Sequence, residues 1–218
     1  MANPALIQKP NFTFETETHT YQLEGRVLVS VTQVLNEWRE IMVYGKRFLV
    51  HTINGTAIEG AVMDNAATFG KAVHEGAKLI LAGEIDWNTV DEALIPPLME
   101  FMRWMNDYKV KPVHIEEPMF SARHGVAGTP DIIGTVKGFR HLDITDIKTG
   151  LVNKMVGPQV SGYEIIFRER EKYRKPIVRH ELILPRDGSP YKFNALTNNQ
   201  DGPFFLSRLF QHQYLNTK

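Results

Sequence analysis

Apolar and polar residues alternate through FTFETETHTYQLEGRVLV, with Phe12, Phe14, Tyr21, Leu23, Val27 and Val29 on the apolar side. Period two is the signature of strands with one buried face, so a small β-hairpin or meander is expected there. Ser30 then stands as an N-cap whose hydroxyl can accept an orphan N–H of a short helix over residues 31–38. Residues 39–57 carry no decisive period. Over residues 61–81 the spacing becomes helical, with Phe69, Val73, Ala77 and Ile80 three or four residues apart and Gly83 where a helix stops. Residues 86–94 and 96–108 read as two further helical pieces. The second carries Leu98, Phe101, Met102 and Met105 on one stripe and prolines in its opening turn.

After Lys111-Pro112 the chain turns to strand material. VHIEEPMFS, GVAGTPDIIGTV and RHLDITDIKTG predict three successive strands separated by glycine-bearing turns. A helix over residues 154–171, a fourth strand in IVRHELILP and a last helix over residues 204–213 follow. The order predicts an α/β (α+β) fold, a central mixed sheet flanked by helices. We expect one domain, in which residues 1–60 form an N-terminal hairpin and helix extension packed on a core of residues 61–218.

Composition narrows the chemistry. The 218 residues are 43% hydrophobic and 23% charged, near the globular average. No apolar run approaches the ~20 residues that span a bilayer, and the N-terminus lacks a leader pattern, so an intracellular protein without membrane contact is expected. The chain has no cysteine, which excludes thiolate zinc sites, iron–sulfur clusters and cysteine nucleophiles, so any metal takes oxygen or histidine ligands. Lys and Arg number 25 and Asp and Glu 25, so a polyanion would need a local basic face.

The segment GTPDIIGTVKGFRHLDITDIKTG reads as a hairpin with a two-residue loop at Gly138-Phe139. That loop pairs Lys137 with Arg140 and places Asp131 opposite Asp146, with Cβ atoms ~5 Å apart. Alternation puts Asp146 and Lys148 on the face of Asp131 and turns Thr145 and Ile147 away. Two close carboxylates repel unless a cation lies between them, and hard oxygen donors suit Mg²⁺ or Mn²⁺, as one ion or two. Lys148 adds a positive charge able to orient or deprotonate water and to offset charge on a phosphoryl oxygen. A D-x-K triplet alone is weak, and Asp107-Tyr108-Lys109 is a second one at a helix end with no partner carboxylate strand.

Pro130-Asp131 and Asp146-Ile147-Lys148 resemble the two motif halves of the PD-(D/E)XK nuclease superfamily. Gly70-Lys71-Ala72-Val73-His74 resembles the G-x-x-x-H motif of its RecB-like branch, and Gln159-Val160-Ser161-Gly162-Tyr163 the Q-x-x-x-Y motif. HTYQLEGRVLVSVTQVL resembles the opening of phage-encoded members. The resemblance implies a restriction-endonuclease-like core and a metal-dependent DNA nuclease, an exonuclease in phage-type recombination, repair or replication. It implies catalytic roles for Asp131, Asp146, Lys148 and Glu117, with Glu116 as the alternate acid. Metal would be held by His74, Asp131, Asp146 and the Ile147 carbonyl. Gln159 and Tyr163 share a helix face, as a joint contact to DNA or to the active-site strands would require. The run FREREKYRK offers Arg168 and Arg170 for substrate, although such mixed runs are most often solvated faces. The departure from RecB-like relatives is the lack of a cysteine-bound cluster. A single-strand annealing or replication protein and a homo-oligomer are compatible partners. The rival reading is a non-cutting DNA-binding or assembly module with the same fold.

Overall fold

The computed structural model describes residues 10–137, 141–150 and 154–216 except 36, 37, 44, 45, 54, 55 and 59, and for residues 36–66 it describes backbone alone. The expected Gly138-Phe139 loop lies outside the described residues. The chain opens as a meander of β1 (Phe12–Glu15), β2 (Thr20–Leu23) and β3 (Arg26–Ser30), followed by α1 (Val31–Leu35). Ser30 caps that helix by a reciprocal box: Gln33 N–H donates to Ser30 Oγ over 3.1 Å, and Ser30 N–H donates to Gln33 Oε1 over 2.9 Å. The helix is shorter than the 31–38 expected, because Trp38 opens a second meander, β4 (Trp38–Val43), β5 (Lys46–Ile53) and β6 (Thr56–Ile58).

Next comes α2 (Gly60–Ala82), closed by Gly83 at φ +72°, the left-handed conformation a helix stop requires. The helix expected over residues 86–94 is instead two separate 3₁₀ turns, Trp87–Thr89 and Glu92–Leu94. Asp86 and Asp91 cap them by accepting from Asn88 N–H and Ala93 N–H, and so divide the segment. Then α3 (Ile95–Tyr108) begins with Pro96 and Pro97 in its first turn.

Two of the three expected strands are each broken in the middle. VHIEEPMFS yields β7 (Lys111–Ile115) and β8 (Met119–Ser121); GVAGTPDIIGTV yields β9 (Val126–Gly128) and β10 (Ile132–Thr135). Pro118 and Pro130 lie in the breaks, where a residue without an N–H interrupts a ladder at least cost. The rest is β11 (Leu142–Lys148), α4 (Val156–Arg170), β12 (Ile177–Ile183), β13 (Lys192–Ala195) and α5 (Asp201–Asn216).

The central sheet runs β13-β12-β11-β10-β7. It is mixed: β11 and β12 are parallel, joined by α4 as a crossover, while the other pairs are antiparallel. Both faces are covered. Ile133 and Ile144 pack with Val156, Val160, Ile166 and Phe205 from α4 and α5, whereas Ile132, Ile147 and Leu182 pack with Val73, Leu98, Phe101 and Trp104 from α2 and α3. The result is a helix–sheet–helix sandwich of α+β class. A second sheet has the order β1-β2-β3-β9-β8, so β3 and β9 run parallel and Val29 pairs with Val126. Residues 12–30 are therefore joined to the rest by strand pairing as well as by packing. Among the described residues no helix is long and apolar enough to cross a membrane.

Candidate active site

The β10–β11 register places Ile132 opposite Thr145 and Ile133 opposite Ile144, the pairing expected from the sequence, and one further step sets Asp131 against Asp146. Alternation along β11 sends Ile147 into the core beneath α2 and α3, and Asp146 and Lys148 to the α4 side with Ile144. Across the parallel pair, Glu181 stands beside Asp146. All these acids are at the same end of the sheet, where β11 terminates.

Asp131 is fixed by its neighbours. Its Oδ2 accepts the Ile147 N–H over 2.6 Å, and its Oδ1 is 3.3 Å from His74 Nδ1. His74 comes from α2, one residue after Val73, which is fully buried in the core. Gly70 lets that helix approach the end of β11, since a Cβ there would lie 3.3 Å from Thr149 Oγ1. The other ring nitrogen, His74 Nε2, is 3.2 Å from the Ile147 carbonyl oxygen, and Glu116 Oε1 is 3.8 Å from His74 Nδ1. His74, Glu116 and Asp131 each offer one donor atom, all within 4.8 Å of one another.

The second half of the site is a chain of polar contacts between β11 and α4. Lys148 Nζ is 2.6 Å from Asp146 Oδ2, while Gln159 Nε2 donates to Asp146 Oδ1 over 3.1 Å and to Tyr163 Oη over 3.0 Å. Lys148 Nζ donates to Gln159 Oε1 over 3.3 Å. Asp146 Oδ2 is buried, with the Lys148 ammonium as its close ionic partner. Tyr163 packs tightly over Gly128, where a Cβ would meet its ring at 2.7 Å.

Burial and crowding of like charge drive the two aspartates apart. Burial, and then the Asp131 charge, lift Asp146 to about 6 against the pull of Lys148. For Asp131, burial is outweighed by the charge and hydrogen bond of His74, by Lys148 and by the Ile147 amide, so it stays below the usual carboxylate range. Burial would lower His74, but Asp131 and Asp146 hold it up at about 9. Burial and the Asp131 charge raise Glu116. Lys148 is held above its usual value despite burial, by Asp146, Asp131 and, at the end of the series, Glu181.

Of the expected residues, Asp131, Asp146, Lys148, His74, the Ile147 carbonyl, Gln159 and Tyr163 are brought together. Glu117 is not. Glu116 occupies the site, and Glu117 is bound instead to His114 and Arg170. The strand register sets Glu116 against Asp131, and its φ of +42°, a left-handed conformation that costs roughly 1–3 kcal/mol for a residue with a side chain, ends the alternation of β7. Arg168 and Arg170 are also placed differently from expectation. Arg168 pairs with Glu164 and donates to the carbonyls of Tyr173 and Lys175, closing the end of α4, while Arg170 pairs with Glu117 and Glu171. The second D-x-K triplet is structural: Asp107 accepts from the Tyr191 hydroxyl, and Lys109 ends α3 at φ +47°.

Glu181 escaped the sequence reading. It is 7% exposed, accepts from Asn194 Nδ2 over 2.9 Å and adds charge near Lys148. Its signal was an acid in the apolar strand IVRHELILP, where a fully buried carboxylate needs a partner. His180, assigned nothing from sequence, pairs with Asp143 on the opposite face of β11 from Asp146 and stacks on Phe193 at 4.1 Å between centroids. No family model matches the chain, and no curated protein matches it.

Proposed function

We propose that the chain is a divalent-metal-dependent nuclease of the PD-(D/E)XK type, RecB-like branch, hydrolysing DNA phosphodiesters. The observation that carries this reading is the convergence of His74, Glu116 and Asp131 beside Asp146 and Lys148 at one end of the central sheet.

The donor set suits a hard cation: carboxylate oxygens, one imidazole nitrogen and the Ile147 carbonyl match Mg²⁺ or Mn²⁺. Asp146, a buried carboxylate beside this group, is a donor of the same kind. Burial, and then the charge of Asp131, raises both Asp146 and Glu116, so a cation that neutralises these carboxylates would be favoured there. Asp131, Glu116 and His74 would hold the ion, with Asp146 and the Ile147 carbonyl as further donors. When bound, such an ion polarises a phosphoryl oxygen and makes coordinated water more acidic.

The protein's own groups do the rest. The Ile147 amide and His74 keep Asp131 ionised and fix its rotamer. Gln159 orients the Asp146 carboxylate and the Lys148 ammonium through its two amide ends. Lys148 steers the attacking oxygen and offsets negative charge developing on the phosphoryl group. Exonuclease action in phage-type recombination, repair or replication is the form of this proposal that the resemblance of His74, Asp131, Asp146-Ile147-Lys148, Gln159 and Tyr163 suggests, and substrate topology separates it from endonuclease action.

The test is degradation of linear and closed-circular fluorescent DNA with Mg²⁺, Mn²⁺ or EDTA. Linear DNA is degraded with metal and not with EDTA, and Asp146→Ala abolishes this. Lys148→Ala keeps Mn²⁺ and DNA binding but turns over about a hundredfold slower, the scale of losing one charge-stabilising group. Opened circles would make it an endonuclease. Cleavage of neither substrate by the wild-type chain would leave a non-cutting DNA-binding or assembly module.

A further inference from the structure

We infer that Arg170 and Glu117 form a latch that holds Glu116 in its metal-facing conformation, so that Arg170 on α4 is a positioning residue for the cation site. The inference rests on the metal-binding reading above.

The turn between β7 and β8 has a conflict built into it. Glu116 and Glu117 are consecutive acids, and an extended strand would send them to opposite faces, with the β7–β10 register setting Glu116 against Asp131. Glu116 nevertheless leaves the strand conformation for a left-handed φ of +42°, and a residue with a Cβ does not rest there unless its surroundings hold it. On one side the Glu116 N–H donates to the Asp131 carbonyl oxygen over 2.9 Å, continuing the β7–β10 pairing past the strand end. On the other side Glu117 is gripped twice, by the Arg170 guanidinium through Oε1 and by the His114 ring through Oε2.

The two grips come from firm elements. Arg170 is the last residue of α4 and also pairs with Glu171 at 3.0 Å; His114 belongs to β7 and meets the Phe167 ring edge-on at 5.7 Å. The preceding residue of α4, Glu169, receives the Ser121 hydroxyl and, at 3.0 Å, the Arg123 N–H. The last turn of α4 thus clips the 117–123 segment at two points, while the Glu116 side chain turns to His74. With Glu117 tied away, it is not available to replace Glu116 as a donor.

The experiment titrates Mn²⁺ into metal-free full-length protein by calorimetry, with thermal melting in EDTA and DNA affinity measured alongside. Wild type binds Mn²⁺; Arg170→Ala binds it at least tenfold more weakly with a melting temperature close to wild type. Arg170→Lys recovers part of the affinity, and the exchange Glu117→Arg with Arg170→Glu recovers more than either single change. Unchanged Mn²⁺ affinity in Arg170→Ala overturns the latch. Lost DNA affinity with unchanged Mn²⁺ affinity also overturns it and assigns Arg170 to the substrate. Should wild type itself bind no Mn²⁺ while its fold is intact, the metal-site reading fails, and the latch with it.

Discussion

Gln159 on α4 reaches Asp146 on β11 through a 3.1 Å hydrogen bond from its amide nitrogen, and its amide oxygen accepts from Lys148 at 3.3 Å. One neutral side chain therefore sets the geometry of both charged partners. We predict that Gln159→Leu lowers kcat on linear DNA by about 10–100-fold, as loss of a group orienting metal ligands does. Unaltered kcat would make the contact incidental.

His74 lies at about 9, above its usual 6.5, because Asp131 and Asp146 favour the imidazolium. A cation needs the neutral ring, so binding expels that proton. Mn²⁺ affinity should rise about tenfold per pH unit between roughly 6.5 and 9 and then level off. The metal-free protein behaves in the opposite sense. The stability due to the charged ring is full below 6.5 and is lost as pH rises through about 9. Melting in EDTA across that window, compared with His74→Gln, measures both statements; parallel curves for the two proteins would remove His74 from the titration.

Asp146, lifted to about 6, binds a proton more tightly folded than unfolded. Metal-free stability should therefore fall as pH rises from about 4 to about 6, where the folded state carries the extra proton. Asp146→Asn removes that decline. A decline that persists in the variant would belong to another group.

Gly128 faces the Tyr163 ring at a distance no Cβ tolerates. Gly128→Ala should destabilise the fold by about 1–3 kcal/mol, the range for overpacking, measured by urea unfolding. It should also slow cleavage by displacing the Tyr163 hydroxyl that accepts from Gln159. Wild-type stability would mean that the ring shifts freely.

Phe101 is fully buried with Trp104 between the sheet and α3. Phe101→Ala should cost about 3–5 kcal/mol through the cavity it leaves, with cleavage kinetics normal in the fraction that stays folded. A loss below ~1 kcal/mol would show that this layer repacks.

Periodicity located the long helices and the shared face of Asp146 and Lys148, and an assumed two-residue loop gave the β10–β11 register that the pairing of Ile132 with Thr145 matches, because each rests on local rules. The breaks at Glu116–Pro118 and Thr129–Asp131 read as continuous strands because branched residues flank them, although Pro118 and Pro130 are the sequence's signal for an interruption. The choice of Glu116 over Glu117 follows from the pairing of β7 with β10, which sets Glu116 against Asp131 and which the acids' own neighbours in sequence do not announce. Glu181 enters the site only through the parallel pairing of β11 with β12, and its own neighbours in sequence carry no sign of Asp146. Sequence spacing reports which side chains share a face; it does not report which distant element closes over them.

The parallel pairing of β3 with β9 has a consequence for how the chain is made. Val29 waits for Val126, about a hundred residues later, and Tyr21 waits to bond Thr129 Oγ1 at 2.8 Å, two residues before Asp131. During synthesis the first meander leaves the ribosome long before its neighbour in the sheet, with the β3 edge open to any other strand. The same pairing makes removal of residues 1–60 hazardous: β9 would lose its cover and the Pro130-Asp131 turn its tether, giving a protein that aggregates before it can be assayed.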